Sequence, residues 1–237
     1  MSGPEAVLEA AVGGVEDPDP RKRLAVVRGL SRLGGASEAE RGRAVELLGR
    51  LVADEADYVR WNVALALGRL GDSLGLPHLR VLATDEHANV RLRVALAVGL
   101  IGDPSAVDIL AGLSADTYRV GEAFPVRAYA ALSLGLLGDP KGLAALAALA
   151  EDDNGEVRWH ATVALGDLGD EQGVEALIAR TEDDIAFVRA HAAIGLSEIG
   201  SPEGLDAVER LAASDPVERV KKIAGKALSA LGEKLAQ

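Results

Sequence analysis

Val157-Arg158-Trp159-His160-Ala161-Thr162-Val163-Ala164-Leu165-Gly166-Asp167-Leu168-Gly169-Asp170 decides the fold, because the chain repeats this stretch, with variations, seven times. With the basic residue as anchor, the copies stand at Arg23, Arg60, Arg91, Arg127, Arg158, Arg189 and Lys221, spaced 37, 31, 36, 31, 31 and 32 residues apart. Eleven residues after every anchor is a glycine (Gly34, Gly71, Gly102, Gly138, Gly169, Gly200, Gly232), always preceded by Leu or Ile. Six residues before the anchor is an aspartate: Asp17, Asp54, Asp85, Asp152, Asp183 and Asp215. Asp116 joins the series once five extra residues of the fourth repeat are removed. A fixed period of this size is the mark of a stacked-repeat architecture.

Each repeat reads as two helices. Gly71-Asp72, Gly102-Asp103-Pro104, Gly138-Asp139-Pro140, Gly169-Asp170 and Gly200-Ser201-Pro202 are stop-then-start signals. The glycine takes a left-handed cap, Asp or Ser caps the next helix, and Pro suits its first turn. The expected hairpins are about 4–34, 37–71, 75–102, 104–138, 141–169, 171–200 and 202–234, in one domain over residues 1–237. At 100° per residue, positions one before and three, seven and ten after the anchor share a core face. They hold Val157, Ala161, Leu165 and Leu168, or Val90, Val94, Val98 and Ile101. Positions four and eight after the anchor are small, as in Ala64 and Gly68, so neighbouring helices can approach closely despite the ~1 kcal/mol that a glycine costs inside a helix. A hairpin cannot bury its apolar face alone, so the repeats stack.

Composition narrows the chemistry. The chain is 49% hydrophobic and 26% charged, a globular balance, with aromatics only 3%, so Ala, Leu and Val must build the core. No Cys is present, which removes disulfides, thiolate catalysis and Cys-ligated metals. A net charge of −12 disfavours nucleic-acid backbones and anionic membranes as partners. Met1-Ser2-Gly3-Pro4-Glu5 lacks a signal-peptide pattern and no apolar run reaches the ~18–20 residues that span a bilayer, so a cytoplasmic protein is expected. The Gly-rich pieces follow no strand and match no phosphate-binding loop. Lys221, Lys222, Lys226 and Lys234 suit a polar terminal cap.

The paired-helix repeat of about 31 residues, with Asp-x5-Arg and Val-Arg-x-x-Ala-Ala-x-Ala-Leu-Gly-x-Leu-Gly-Asp, resembles the HEAT repeat in its short bacterial and archaeal, phycobilisome-lyase-like form. Asn89-Val90-Arg91-Leu92-Arg93-Val94-Ala95-Leu96-Ala97-Val98-Gly99-Leu100-Ile101-Gly102-Asp103 fits it closely. The resemblance implies an all-α solenoid of about seven hairpins, a right-handed superhelix with second helices lining a concave face. It also implies that the Asp and Arg of neighbouring repeats form a buried ladder. Such folds serve many functions, so function must come from the surface.

That surface is the stripe one, two, five and nine residues after each anchor. Its candidate partner-binding residues are Trp61, Leu65, Arg69, Arg93, Leu96, Leu100, Tyr129, Leu132, Trp159, His160, Asp167, His191 and Glu198. Trp, Tyr and Arg are typical interface anchors; the competing reading is packing between repeats. The insertion at 114–125 adds Tyr118, Arg119, Glu122 and Phe124 as a candidate specificity loop or a tolerated surface loop. His160 and His191 are followed by alanine, so the His-Glu pairs that hold iron in HEAT-like hydroxylases are missing, and neither a metal nor another cofactor is expected. The expected function is a non-enzymatic scaffold, a monomer or weak homodimer, gripping a protein or peptide. The rivals are a phycobilin lyase-like protein, a HEAT-like DNA glycosylase, which needs a basic face, and an iron-dependent hydroxylase.

Overall fold

The computed structural model describes residues 3–120 and 124–236. The helices follow in pairs: α1 (Pro4–Gly14) and α2 (Pro20–Leu30), α3 (Glu38–Gly49) and α4 (Asp57–Leu70), α5 (Leu76–Leu82) and α6 (Ala88–Ile101). Next come α7 (Val107–Leu113) and α8 (Val126–Leu137), then α9 (Leu143–Leu149) and α10 (Gly155–Leu168). The last pairs are α11 (Val174–Arg180) with α12 (Ala186–Ile199), and α13 (Leu205–Ser214) with α14 (Glu218–Leu235). The chain is thus an all-α solenoid of helical hairpins. It gathers into two compact units, 1–133 and 134–237, with the division inside α8. In the first unit α2, α4 and α6 lie side by side; in the second, α10, α12 and α14 do the same.

The stop signals act as their residues dictate. Gly71, Gly102, Gly138, Gly169 and Gly200 all adopt left-handed backbone, φ +62 to +82°. Asp72, Asp103, Asp139 and Asp170 then each accept the N–H two residues on at 2.9 Å, opening a single 3-10 turn that runs into the next α-helix. Ser201 differs from expectation: its hydroxyl goes to the Glu203 carboxylate and caps no backbone group. The outermost glycines also differ. α2 stops at Leu30 and Gly34 lies in a 3-10 turn, while α14 runs through Gly232 because Glu233, Lys234 and Leu235 prolong it.

Val157, Ala161 and Leu165, like Val90, Val94 and Val98, are fully buried, each large side chain contributing about 1.5–3 kcal/mol. Leu168 and Ile101, at the helix ends, are only half-buried. The small positions set how closely second helices approach. A methyl group added at Gly166 would stand 2.8 Å from the Gly195 Cα, and one at Gly68 2.6 Å from the Ala97 Cα. These helices touch backbone to backbone.

The aspartate–arginine series is the buried ladder. Arg23 donates from Nε to Asp54 at 2.6 Å and from Nη2 at 2.9 Å; Arg60 reaches Asp85 at 2.5 and 3.0 Å. Arg91 pairs with Asp116 in the same two-pronged way. In the second unit Arg158 holds Asp183 at 2.6 and 3.0 Å and Arg189 holds Asp215 at 2.7 and 3.0 Å. The remaining nitrogen, Nη1, turns back to the carbonyl of the aspartate in its own loop, 2.8 Å from Asp183 in the case of Arg189. Glu55 and Glu86 lean on Arg23 and Arg60 from solvent, and such exposed pairs contribute little.

The Arg189 guanidinium holds the Asp215 carboxyl below the usual carboxylate range, against burial, which pushes it up; the Val217 N–H helps. At Asp85 and Asp183 burial is the largest influence and raises the carboxyl, yet Arg60 and Arg158 with the loop N–H groups bring both below the ordinary value. A depressed folded pKa contributes stability that is full above the unfolded value of about 4 and is lost as pH falls through the folded value. The part of the urea midpoint that these carboxylates contribute should therefore hold steady above pH ~4 and be lost below it. Arg189→Met, which strands a buried carboxylate, should cost about 3–5 kcal/mol at neutral pH. Adding Asp215→Asn, which keeps the acceptor for Val217, should recover part of that loss; no recovery would show that the arginine matters for its packing alone. Gly166→Val should lower stability by about 1–3 kcal/mol through backbone collision with Gly195, whereas Gly13→Ala, with open space around it, should not.

Candidate partner-binding surface

In the first unit Trp61 and Leu65 on α4, Arg93 and Leu96 on α6, and Tyr129 and Leu132 on α8 are half-buried, while Arg69 and Leu100 near the helix ends are exposed. Leu92 and Ala128, one residue after their anchors, are buried between helices. Inter-repeat packing therefore takes the position next to the anchor when its side chain is small or aliphatic, and Trp61 stays at the rim. Asn62, beside it, donates to the Tyr58 carbonyl at 2.6 Å.

The second unit assembles a tighter group. Trp159 on α10 remains 36% exposed, although Ala190 at the same position on α12 is buried. Its indole lies 4.6 Å, centroid to centroid, from the tilted His160 ring and 6.0 Å from the His191 ring on α12, edge to face. His191 Nδ1 donates to the Phe187 carbonyl at 2.8 Å, which fixes its tautomer and turns Nε2 outward from that bond. Phe187, one helical turn earlier on α12, is 59% exposed and lies under the Arg219 guanidinium of α14 at 5.9 Å, a cation–π contact. Asp167 and Glu198 are exposed at the far ends of α10 and α12. The structure thus gathers Trp159, His160 and His191 into one cluster and leaves the two acids a helix length away.

Phe187 and Arg219 were not among the expected residues. They stand two residues before the anchor, where Tyr58 and Glu156 stand in their own repeats. Two before and two after the anchor are four residues apart, one turn on the same face. Extending the stripe by that turn would have found them.

In the insertion, Arg119 and Val120 pair antiparallel with Pro125 and Phe124 as two-residue strands, a feature the helical period could not foretell. Tyr118 is exposed just before them and Glu122 lies outside the described residues. His87 sits beside Arg60 Nη2 at 3.1 Å, and His78 is on α5. Among the described residues no three His, Asp or Glu side chains converge as a metal set, and no helix is long and apolar enough to cross a membrane.

Burial lowers the His160 pKa, so the neutral ring is the folded form at pH 7. The unfolded chain takes up that proton near pH 6.5, so stability contributed by neutral His160 is full above that pH and declines as pH falls towards the lower folded value. His160→Gln should flatten the change in urea midpoint between neutral and mildly acidic pH. An unchanged slope would place the titration elsewhere.

The sequence matches the model of HEAT repeats at residues 44–124, 119–187 and 171–229. No curated protein matches it. Among solved structures, the CpcE–CpcF complex of phycocyanin lyase from Nostoc sp. PCC7120 is similar over 100% of this chain and 93% of that one, with 22% identity and a TM-score of 0.57. YibA of E. coli is similar over 95% and 82%, with 17% identity and a TM-score of 0.67. A designed armadillo repeat protein in complex with a (KR)4 peptide is similar over 94% and 99%, with 18% identity and a TM-score of 0.53.

Proposed function

The chain belongs to the HEAT-repeat family, and from that footing we propose that it is a non-catalytic scaffold that grips a protein or peptide on the solvent side of its second helices. The observation that carries this reading is the cluster of Trp159, His160, His191 and Phe187, partly exposed in a chain with only 3% aromatic residues. Large rings half-sunk in a fixed surface offer apolar area at little entropic cost, which is why Trp and Tyr dominate binding hot spots. Arg219 above Phe187 and Glu156, which stands at the Phe187 position of its own repeat, add polar groups beside the cluster. Trp61, with Leu65, Leu96 and Leu100, is the corresponding patch of the first unit.

The similar folds in the CpcE–CpcF complex and the armadillo–peptide complex are consistent with a protein or peptide ligand. At 22% identity the likeness to phycocyanin lyase speaks for the fold and carries no activity over to this chain. The test is comparative capture from native lysate followed by titration of the partner so identified. Trp159→Ala with Phe187→Ala should weaken binding by at least about 2 kcal/mol, roughly thirtyfold in Kd, with the helical circular dichroism unchanged. Equal capture by wild type and the double variant would sink the proposed site, and Trp61→Ala reports separately on the first unit.

A further inference from the structure

The chain carries 37 acidic residues against 25 basic ones, but the two signs are sorted by side in the first unit. At 100° per residue, the positions two before and two, five and nine after the anchor share the solvent side of a second helix. There stand Arg21, Arg28 and Arg32, on or just past α2, Arg69 on α4 and Arg93 on α6. No Asp or Glu holds any of these positions among the described residues of the unit. Arg93 is half-buried and the other four are exposed. Among the described residues none of the five side chains makes an ion pair, whereas the arginines of the first helices are matched: Arg43 with Glu5, Arg50 with Glu16 and Arg80 with Asp108.

This side is set by the repeat itself. A preceding second helix is met at the sixth residue after the anchor, as Ala97 meets Gly68, so on α2 it is Gly29 that turns that way and the arginine row looks elsewhere. Arg69 stands on α4, which packs against both α2 and α6. Across the unit, the position nine after the anchor reads Arg32, Arg69 and Leu100, and the position five after it reads Arg28, Leu65 and Leu96. Cations and leucines therefore lie side by side on successive helices. Packed helices are about 10 Å apart. An extended chain with three residues per turn returns a side chain to the same side roughly every 9 Å. A carboxylate at every third residue of such a chain meets the arginine of one helix after another, and the guanidinium fork matches a carboxylate.

We propose that the solvent side of the first unit takes an acidic, leucine-bearing peptide segment. Its carboxylates lie on Arg32, Arg69 and Arg93, and its aliphatic side chains cover Leu65, Leu96 and Leu100. This rests on the reading of the second helices' solvent side as the partner-binding face, and it names the partner chemistry there. The leucines choose a peptide over a nucleic acid: a phosphodiester backbone would satisfy the arginines and leave the apolar carbon between them uncovered. A long polyanion would also extend beyond this side into the field of a chain whose net charge is −12. A short segment escapes that field, because charges beyond about 8 Å are largely screened at physiological ionic strength.

Fluorescence anisotropy of the full chain tests this with three labelled probes: a peptide of repeated Glu-Leu-Ser, the same peptide with Lys in place of Glu, and a single-stranded oligonucleotide. The Glu peptide should bind at least about tenfold more tightly than the Lys peptide. Arg69→Glu with Arg93→Glu should reverse that order with unchanged circular dichroism, since glutamate suits a helix and neither arginine holds an ion pair. A reversed preference cannot come from misfolding. A Glu peptide that fails to bind, a preference that the charge reversal leaves untouched, or an oligonucleotide bound more tightly than either peptide overturns the proposal. Trp61→Ala then tells the two failures apart. If it weakens whichever probe does bind, the face is a binding face and only the acidic chemistry is wrong. If it changes nothing, the face itself is not the site.

Discussion

Each rung of the ladder makes one carboxylate do two things at once. Asp183 Oδ1 accepts the Ile185 N–H at 2.9 Å, which shapes the loop that starts α12, and the same carboxylate takes both prongs of Arg158. Asp215 does the same with Val217 and Arg189. Arg189 in turn closes its own loop through the Asp183 carbonyl. Loop order, helix start and stacking of the next hairpin are therefore one event. Burying such a pair is not in itself a large source of stability, because desolvation offsets much of the attraction. What it provides is register: a hairpin displaced along its neighbour would leave a buried charge unmatched. In a nearest-neighbour architecture that penalty applies at every interface where the pair recurs.

The small residues complete the same constraint. Helix propensity alone would reject glycine at Gly68, Gly135, Gly166 and Gly195, all inside helices. Close packing wins because a methyl at any of these positions would stand 2.6–3.0 Å from the facing helix, inside van der Waals contact, so only a residue without a Cβ lets the helices approach this closely. Leu, Val and Ala then fill the space between first and second helices with few aromatics.

Much of this was legible in the residues. The Gly-Asp pairs announced helix ends because only a few residue types meet those backbone demands. The Asp and Arg series announced the ladder through its fixed spacing. The solvent face was legible only in part. A helical wheel gives the angle of a side chain but not the approach of the next helix, so Leu92, Ala128 and Ala190 looked exposed and are buried, while Trp61 and Trp159 at the same angle are too large to follow. Phe187 was passed over because it precedes the anchor, and its contact with Arg219 is made across two helices that are 32 residues apart in sequence. The strand pair at 119–125 arises where the repeat period is broken, and no periodic signal describes an interruption.

The placement of the two tryptophans has a spectroscopic consequence. Trp61 falls in the compact unit of residues 1–133 and Trp159 in that of residues 134–237, and the chain has no third. Indole emission moves to longer wavelength as water reaches the ring, so each unit carries its own optical reporter. A protein of this length need not unfold in a single step. With Trp61→Phe the remaining fluorescence follows the second unit, and with Trp159→Phe it follows the first, so loss of order in one half can be seen apart from loss of order in the other.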